Sequence, residues 1–310
     1  MASKVISTDN ARNHISRLIK SAQSIKNLQD YSEKPKGIWG STATIKSANV
    51  TIKSSELDFE FNTPFDDNLE ADEGEIVVYN LSDNTIKQLK VGENISIEGG
   101  YEGDTGVIFS GKIKKVYSKS EGADKATTIK VKDGFTTSTK LLIEYGELEE
   151  TYDGVPAEDI LYALLQAEGA PIAKFDVESN YEYENSVTIG DDLEAEIKKY
   201  SEVCGVSTFK SKGKIYCCKL SKVSNGITFN VSEETGMIGS PSPFEEVVTV
   251  GDTEETIKGF EIEILLQHRA AVGAIVNLTS KEYKGKYYIK SGTHRFNQGE
   301  AITKLKVVEK

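Results

Sequence analysis

The residues best equipped for chemistry are three histidines, three cysteines and one run of acids, and their spacing limits what they can do. His14, His268 and His294 stand far apart, so no pair has the i, i+4 spacing of a zinc-binding helix. Cys204, Cys217 and Cys218 include no C-x-x-C pair and fall short of four converging zinc ligands. Buried, unreactive thiols are expected instead. Asp66, Asp67, Glu70, Asp72, Glu73 and Glu75 come nearest to a cation site, but they miss the D-x-[DN]-x-[DN]-G loop pattern and read as a solvated loop. The glycines from Gly99 to Gly106 lack the lysine spacing and the following helix of a phosphate cradle, and read as hairpin turns. No G-x-S-x-G elbow presents a serine nucleophile, and carboxylates are too numerous in an acidic chain to single out a glycosidase pair. The chain is therefore expected to have no catalytic residue, no metal and no cofactor, and not to be an enzyme.

Composition points the same way. The chain has 310 residues, 37 Lys+Arg and 49 Asp+Glu, for a formal charge of −12. That length suits two or three domains with cores that need no staples. Hydrophobic residues at 38% and charged residues at 28% fit a folded, water-facing chain. No apolar run is long enough for a membrane span, and the first 25 residues hold no apolar h-region, so neither membrane insertion nor a secretory signal is expected. Sparse cysteine fits folding in a reducing cytoplasm. The acidic balance argues against specific nucleic-acid binding.

The charge is uneven. Residues 1–36 carry seven bases against three acids, and Ile15, Leu18, Ile19, Ala22, Ile25 and Leu28 recur there at helical spacing. This segment reads as a basic amphipathic helical arm ending before Pro35. Its stripe either packs on its own domain or docks on a neighbouring subunit through Ile15, Leu18, Ile19, Ile25 and Leu28. A membrane-surface helix fits less well, because the stripe lacks bulky aromatics.

Residues 37–150 read as a first small antiparallel β-barrel. Leu57, Phe59 and Phe61 alternate with acids, and Ile95-Ser96-Ile97 and Ile129-Lys130-Val131 repeat the pattern. The alternation from Val107 slips at Lys114-Lys115, which predicts a bulge. Residues 151–225 change period. Pro156 opens a helix with the stripe Ile160, Leu161, Leu164 and Leu165, closed by Gly169 and Pro171. A second helix is expected from Asp191, with Glu194 at capping-box spacing and Gly205 at its end. A hairpin turning at Lys212-Gly213 completes an α+β insertion module. Residues 226–310 return to strands as a second barrel.

The two β regions resemble each other. Gly92, Ile95 and Ile97 match Gly273, Val276 and Leu278, and Tyr101-Glu102-Gly103 matches Tyr283-Lys284-Gly285. Ser110-Gly111 matches Ser291-Gly292 at the same 19-residue distance from the first glycine, and Ile129-Lys130-Val131 matches Leu305-Lys306-Val307. Duplicated barrels are expected, with Gly92 on Gly273 and Gly111 on Gly292. The fold class is thus a β-rich α+β chain: two related small barrels, an α/β insertion and an N-terminal helix.

The stretch from Glu75 through Tyr79-Asn80-Leu81-Ser82, Thr85-Ile86, Gly92 and Gly99-Gly100-Tyr101 to Ile108-Phe109-Ser110-Gly111 resembles phage tail proteins. In particular it is similar to the first barrel of baseplate hub proteins from contractile-tailed phages and phage-tail-like particles. Glu234-Thr235-Gly236-Met237-Ile238-Gly239-Ser240-Pro241 looks like the entry to that family's second barrel, and Val155 to Leu220 holds the place of its α/β insertion. The resemblance covers roughly residues 40–310 and leaves out the basic arm.

The resemblance implies a homotrimer that adapts a sixfold tail tube to a threefold central spike. Two related barrels per chain would form a pseudo-sixfold ring. The implied partners are the tail tube protein, the central spike protein and other baseplate proteins, with DNA passing through the lumen unbound. The implied location is the tail baseplate of a virion or tail-like particle, after synthesis in a bacterial cytoplasm. Two rival readings are a carbohydrate-binding tail module, which a single Trp39 supports poorly, and a tail-associated cell-wall hydrolase.

Overall fold

The computed structural model describes residues 30–31, 40–69, 71–133, 142–143, 155–177, 181–183, 187–190, 192–219, 225–250 and 253–309. Of the expected N-terminal helix only Asp30 and Tyr31 are described, and they form a short strand parallel to Thr228 and Phe229 instead, because backbone pairing with the second β region satisfies their N–H and carbonyl groups there. Its apolar stripe lies outside the described residues.

Alternating residues in the first region form strands with one face turned inward. β1 (Ser41–Ser47) and β2 (Val50–Lys53) make a hairpin, followed by β3 (Phe59–Phe65), β4 (Asp72–Tyr79), β5 (Asn94–Tyr101), β6 (Asp104–Glu121) and β7 (Asp124–Asp133). They are bonded in the order β2-β1-β5-β6-β7-β4-β3, antiparallel throughout. Ile45, Phe61, Ile76, Ile97, Ile113 and Ile129 anchor the core beneath. The bulge expected at Lys114-Lys115 is present, since Ile113 faces Val131 while Lys115 already faces Lys130. A short helix that periodicity did not reveal, α1 (Asp83–Gln88), starts where the Ser82 hydroxyl accepts from the Thr85 N–H.

The insertion contains α2 (Ala157–Glu168), β8 (Ile172–Asp176), α3 (Leu193–Val203), β9 (Ser207–Ser211) and β10 (Lys214–Cys218). Ile160, Leu161, Leu164 and Leu165 are fully buried against Leu193 and Ile197. Gly169 ends α2 in the left-handed conformation, φ 84°, which favours glycine. The cap of α3 sits one residue later than the sequence spacing suggested. The Asp192 carboxylate accepts from the N–H groups of Glu194 and Ala195, so the capping is done by a single side chain reaching over the first turn. β10 pairs antiparallel with β9 and parallel with β8, a partner that alternation alone does not reveal.

The second β region comprises β11 (Thr228–Val231), β12 (Met237–Val250), β13 (Thr253–Leu265), β14 (Ile275–Thr279), β15 (Lys284–Phe296) and β16 (Ala301–Glu309). Its order is β11-β14-β15-β16-β13-β12. This repeats β1-β5-β6-β7-β4-β3, except that β11 runs parallel to β14 where β1 is antiparallel to β5. The backbone bonds agree in detail. The Gly92 N–H donates to the Ile113 carbonyl at 2.8 Å, and the Gly273 N–H to the Ile289 carbonyl at 2.9 Å. Ile113 faces Val131 and Ile289 faces Val307, each next to a one-residue bulge.

Gly111 and Gly292, by contrast, are not equivalent. With Ile113 matched to Ile289, Gly111 falls at Tyr287, because the second hairpin is five residues shorter. Each glycine answers its own crowding: a side chain at Gly111 would strike the Lys132 carbonyl, and one at Gly292 the Lys304 carbonyl.

The two β regions share one continuous sheet. The N-terminal half of β15 pairs with β14, and its C-terminal half pairs with β3 from Gly292–Phe65 to Phe296–Phe61. Phe296 is thereby buried in the first core, and the Tyr101 hydroxyl donates to the Ala301 carbonyl at 2.9 Å. Among the described residues, the large sheet's edges without a ladder partner include β2 on the side away from β1, β6 beyond Lys112 on the side away from β7, and the side of β12 away from β13.

Candidate assembly interface

The three parts meet at a half-buried polar junction built by residues from all of them. Asp104 opens β6. Its carboxylate accepts from Arg269 at 2.6 Å and from His268 Nε2 at 2.9 Å, both on the loop between β13 and β14. Gly106 makes room, because a side chain there would overlap the His268 ring. From the insertion, the turn between β9 and β10 places Lys212 and Gly213 at φ 51° and 73°. Their N–H groups point at Asp133 of β7, while Lys212 Nζ donates to the His268 carbonyl. Nearby, His294 is buried, stacks on Phe65 at 4.9 Å and bonds Thr303.

Electrostatics follow burial. Burial pushes the Asp104 carboxyl up, but its bonds from Arg269 and His268 outweigh that and hold it below the usual range. Asp133 is pushed up to about 6 by burial, against the pull of Lys210. Lys212 is lowered to about 8 by burial, with Arg269 adding to the effect. His294 drops to about 3 through burial, so it is neutral in the folded chain. These groups hold elements together; they offer no nucleophile with an adjacent base.

The acidic run is dispersed among separate partners. Asp67 pairs with Lys290 of β15 at 3.0 Å, Glu73 with Lys114 and Glu75 with Lys130. Asp72 accepts from the Asp66 N–H, and Glu70 lies outside the described residues. Among the described residues no three His, Cys, Asp or Glu side chains converge to hold a metal ion. Cys217 faces the insertion core and Cys218 a separate cluster with Phe209 and Val272; none of the three cysteines forms a disulfide, and all three are buried. Burial raises the Cys217 thiol to about 12, so it stays protonated. No helix among the described residues is long and apolar enough to cross a membrane. The proposed docking residues Ile15, Leu18, Ile19, Ile25 and Leu28 lie outside the described residues. The sequence shows the parts of the junction only separately, as His268, the glycine at 106 and the Lys212-Gly213 turn, and nothing local brings them together.

No family model and no curated protein matches the chain in sequence. Solved structures do match its fold. A tail protein from Neisseria meningitidis MC58 superimposes with a TM-score of 0.59 at 11% identity, covering 87% of this chain and 97% of that one. The chain has a phage tail protein fold. The 43 kDa tail protein of prophage MuSo2 from Shewanella oneidensis agrees at TM-score 0.56 and 9% identity, over 87% and 98% of the chains. An E. coli component of the type VI secretion system, described as structurally similar to the T4 bacteriophage tail proteins gp27 and gp5, agrees at 0.57 and 12%, over 86% and 76%. The tail fold therefore takes in both β units and the insertion between them.

Proposed function

We propose that this chain is a structural hub of the baseplate in a phage tail or phage-tail-like contractile particle. In this reading it is a homotrimer joining a sixfold tube to a threefold spike, and it makes and breaks no covalent bond. The observation that carries the reading is the repeated strand order. Two units of one topology, joined edge to edge through β3 and β15, allow three chains to present six similar positions. The shared fold with tail proteins supports the same role.

The polar junction suits force transmission. Asp104, His268, Arg269, Lys212 and Asp133 tie two β units and the insertion together, so load on one part reaches the others without a hinge. The partners are a tail tube protein, a central spike protein and other baseplate proteins, with the basic arm as a further docking element.

Native mass spectrometry of the purified chain, alone and with its spike partner, tests the reading. Three copies per assembly are expected, with interfaces above ~2,000 Å² that survive moderate salt. Six copies, or a persistent monomer within assembled baseplates, would overturn it. A turbidity assay on purified cell wall should show no clearing, which separates the hub from a hydrolase.

A further inference from the structure

Resting on the hub reading, we infer that the outer edge of β12 in one copy adds to the open edge of β6 in the next, in a register set by the junction inside each chain. The internal junction is the template. β3 and β12 are the last strands of their units, and β6 and β15 are their long central strands. β3 finds its outer partner in the C-terminal half of β15. Its counterpart β12 lacks an outer ladder partner among the described residues, as does the half of β6 that corresponds to the paired half of β15. The molecule therefore holds one completed junction and the two separated halves of a second.

The register follows from matched hydrogen bonds. Ile113 corresponds to Ile289, so Val116 to Ser120 correspond to Gly292 to Phe296. Val131 and Val307 face those isoleucines, which matches Glu75 of β4 to Glu261 of β13 through their partners Lys130 and Lys306. Asn62, opposite Glu75, then matches Ser242, opposite Glu261. Because Thr293 faces Pro64 within the chain, Tyr117 faces Phe244 of the next copy.

The side chains suit that partner. Tyr117 is 40% exposed and Val247 62% exposed, both large apolar groups on the open edges. Lys114 and Lys115 come opposite Val247 and Glu246, beside Glu245, so the basic edge lies along the acidic one, although Lys114, Glu245 and Glu246 also pair within the chain with Glu73, Lys258 and Lys306. At the internal junction the bulged Lys290 likewise meets Asp67, at 3.0 Å. Pro241 and Pro243 cannot donate, which shortens the ladder, but residues from Phe244 onward keep their N–H groups. Such strand addition joins different edges of successive copies, and it closes a ring of three where each copy is rotated by a third of a turn, as the trimer reading requires. It also covers two edges that would otherwise invite misassociation.

The test is a full-length double variant, Tyr117→Cys with Phe244→Cys, oxidised under native conditions and analysed by non-reducing electrophoresis and native mass spectrometry. The native thiols are all buried, so they contribute little background. Covalent dimers and trimers are expected, with none from Val107→Cys paired with Phe244→Cys. A second variant, Tyr117→Lys with Val247→Lys, should keep the monomer's Tm and lose at least tenfold in association. Trimers that form without the cross-link, or that persist undiminished in the lysine variant, would overturn this inference and leave the hub reading standing. No oligomer at any concentration, with or without the spike, would overturn both.

Discussion

Phe296 of the second β unit stacks on Phe61 of the first, with ring centroids 5.5 Å apart and planes 11° from parallel. The same ring lies 5.6 Å from Phe59, so one side chain near the end of β15 fills a core built mainly by strands of the first β unit. Burying it removes apolar surface that neither unit can cover alone. Phe296→Ala should cost about 3–5 kcal/mol, because the surrounding strands cannot collapse onto the cavity. Denaturant unfolding followed by fluorescence checks this, and the single transition should broaden or split as the two units lose their coupling.

Gly106 and His268 form a second dependency. Any side chain at 106 displaces the imidazole from Asp104. Gly106→Ala should destabilise by about 1–3 kcal/mol, as overpacking does. In a His268→Ala background the same substitution should cost much less, and a double-mutant cycle on chemical unfolding measures the difference.

The Lys210–Glu168 pair, 2.5 Å apart, joins β9 to the end of α2 with both side chains largely buried. Lys210→Met should cost about 3–5 kcal/mol by leaving the carboxylate uncompensated, and adding Glu168→Gln should recover most of it. Thermal melts of the single and double variants check the order.

Stability should depend on pH through carboxyls whose folded values are raised. Asp72 is pushed up to about 7 by burial and then by Asp66, and Asp133 to about 6 by burial. The folded chain therefore holds protons that the unfolded chain, near 4, has released. Their stabilisation is complete below about pH 4 and is lost as pH rises through 6 to 7. Asp104, held low, acts only at more acidic pH. Asp72→Asn keeps an acceptor for the Asp66 N–H, and should raise Tm at pH 8 while leaving it nearly unchanged at pH 4.

The basic arm is open to direct test. If residues 8–30 dock on a neighbour, Leu18→Asp with Ile25→Asp should leave the monomer's Tm nearly unchanged and abolish incorporation into particles. A clearly lowered Tm would place the stripe in the chain's own core, where an unpaired charge is costly.

Local pattern was enough to place most elements. Phe59, Phe61, Ile95, Ile97, Ile129 and Val131 declare their strands because alternate residues need a dry face. Ile160 and Leu164 declare a helix by the same reasoning at another period, and the slipped alternation at Lys114 declares its bulge. The equivalence of Gly92 and Gly273 was also legible, since both turns need a left-handed residue, φ 89° and 77°. Equal spacing misled at Gly111 and Gly292, because it counts residues along the chain and ignores the shorter second hairpin. Only the tertiary structure decided that β3 pairs with β15, that β8 runs parallel to β10, and that Asp104, Asp133, Lys212 and His268 share one junction. Periodicity reports which face of a segment avoids water, whereas the identity of the strand across from it depends on contacts between distant residues that no local window contains.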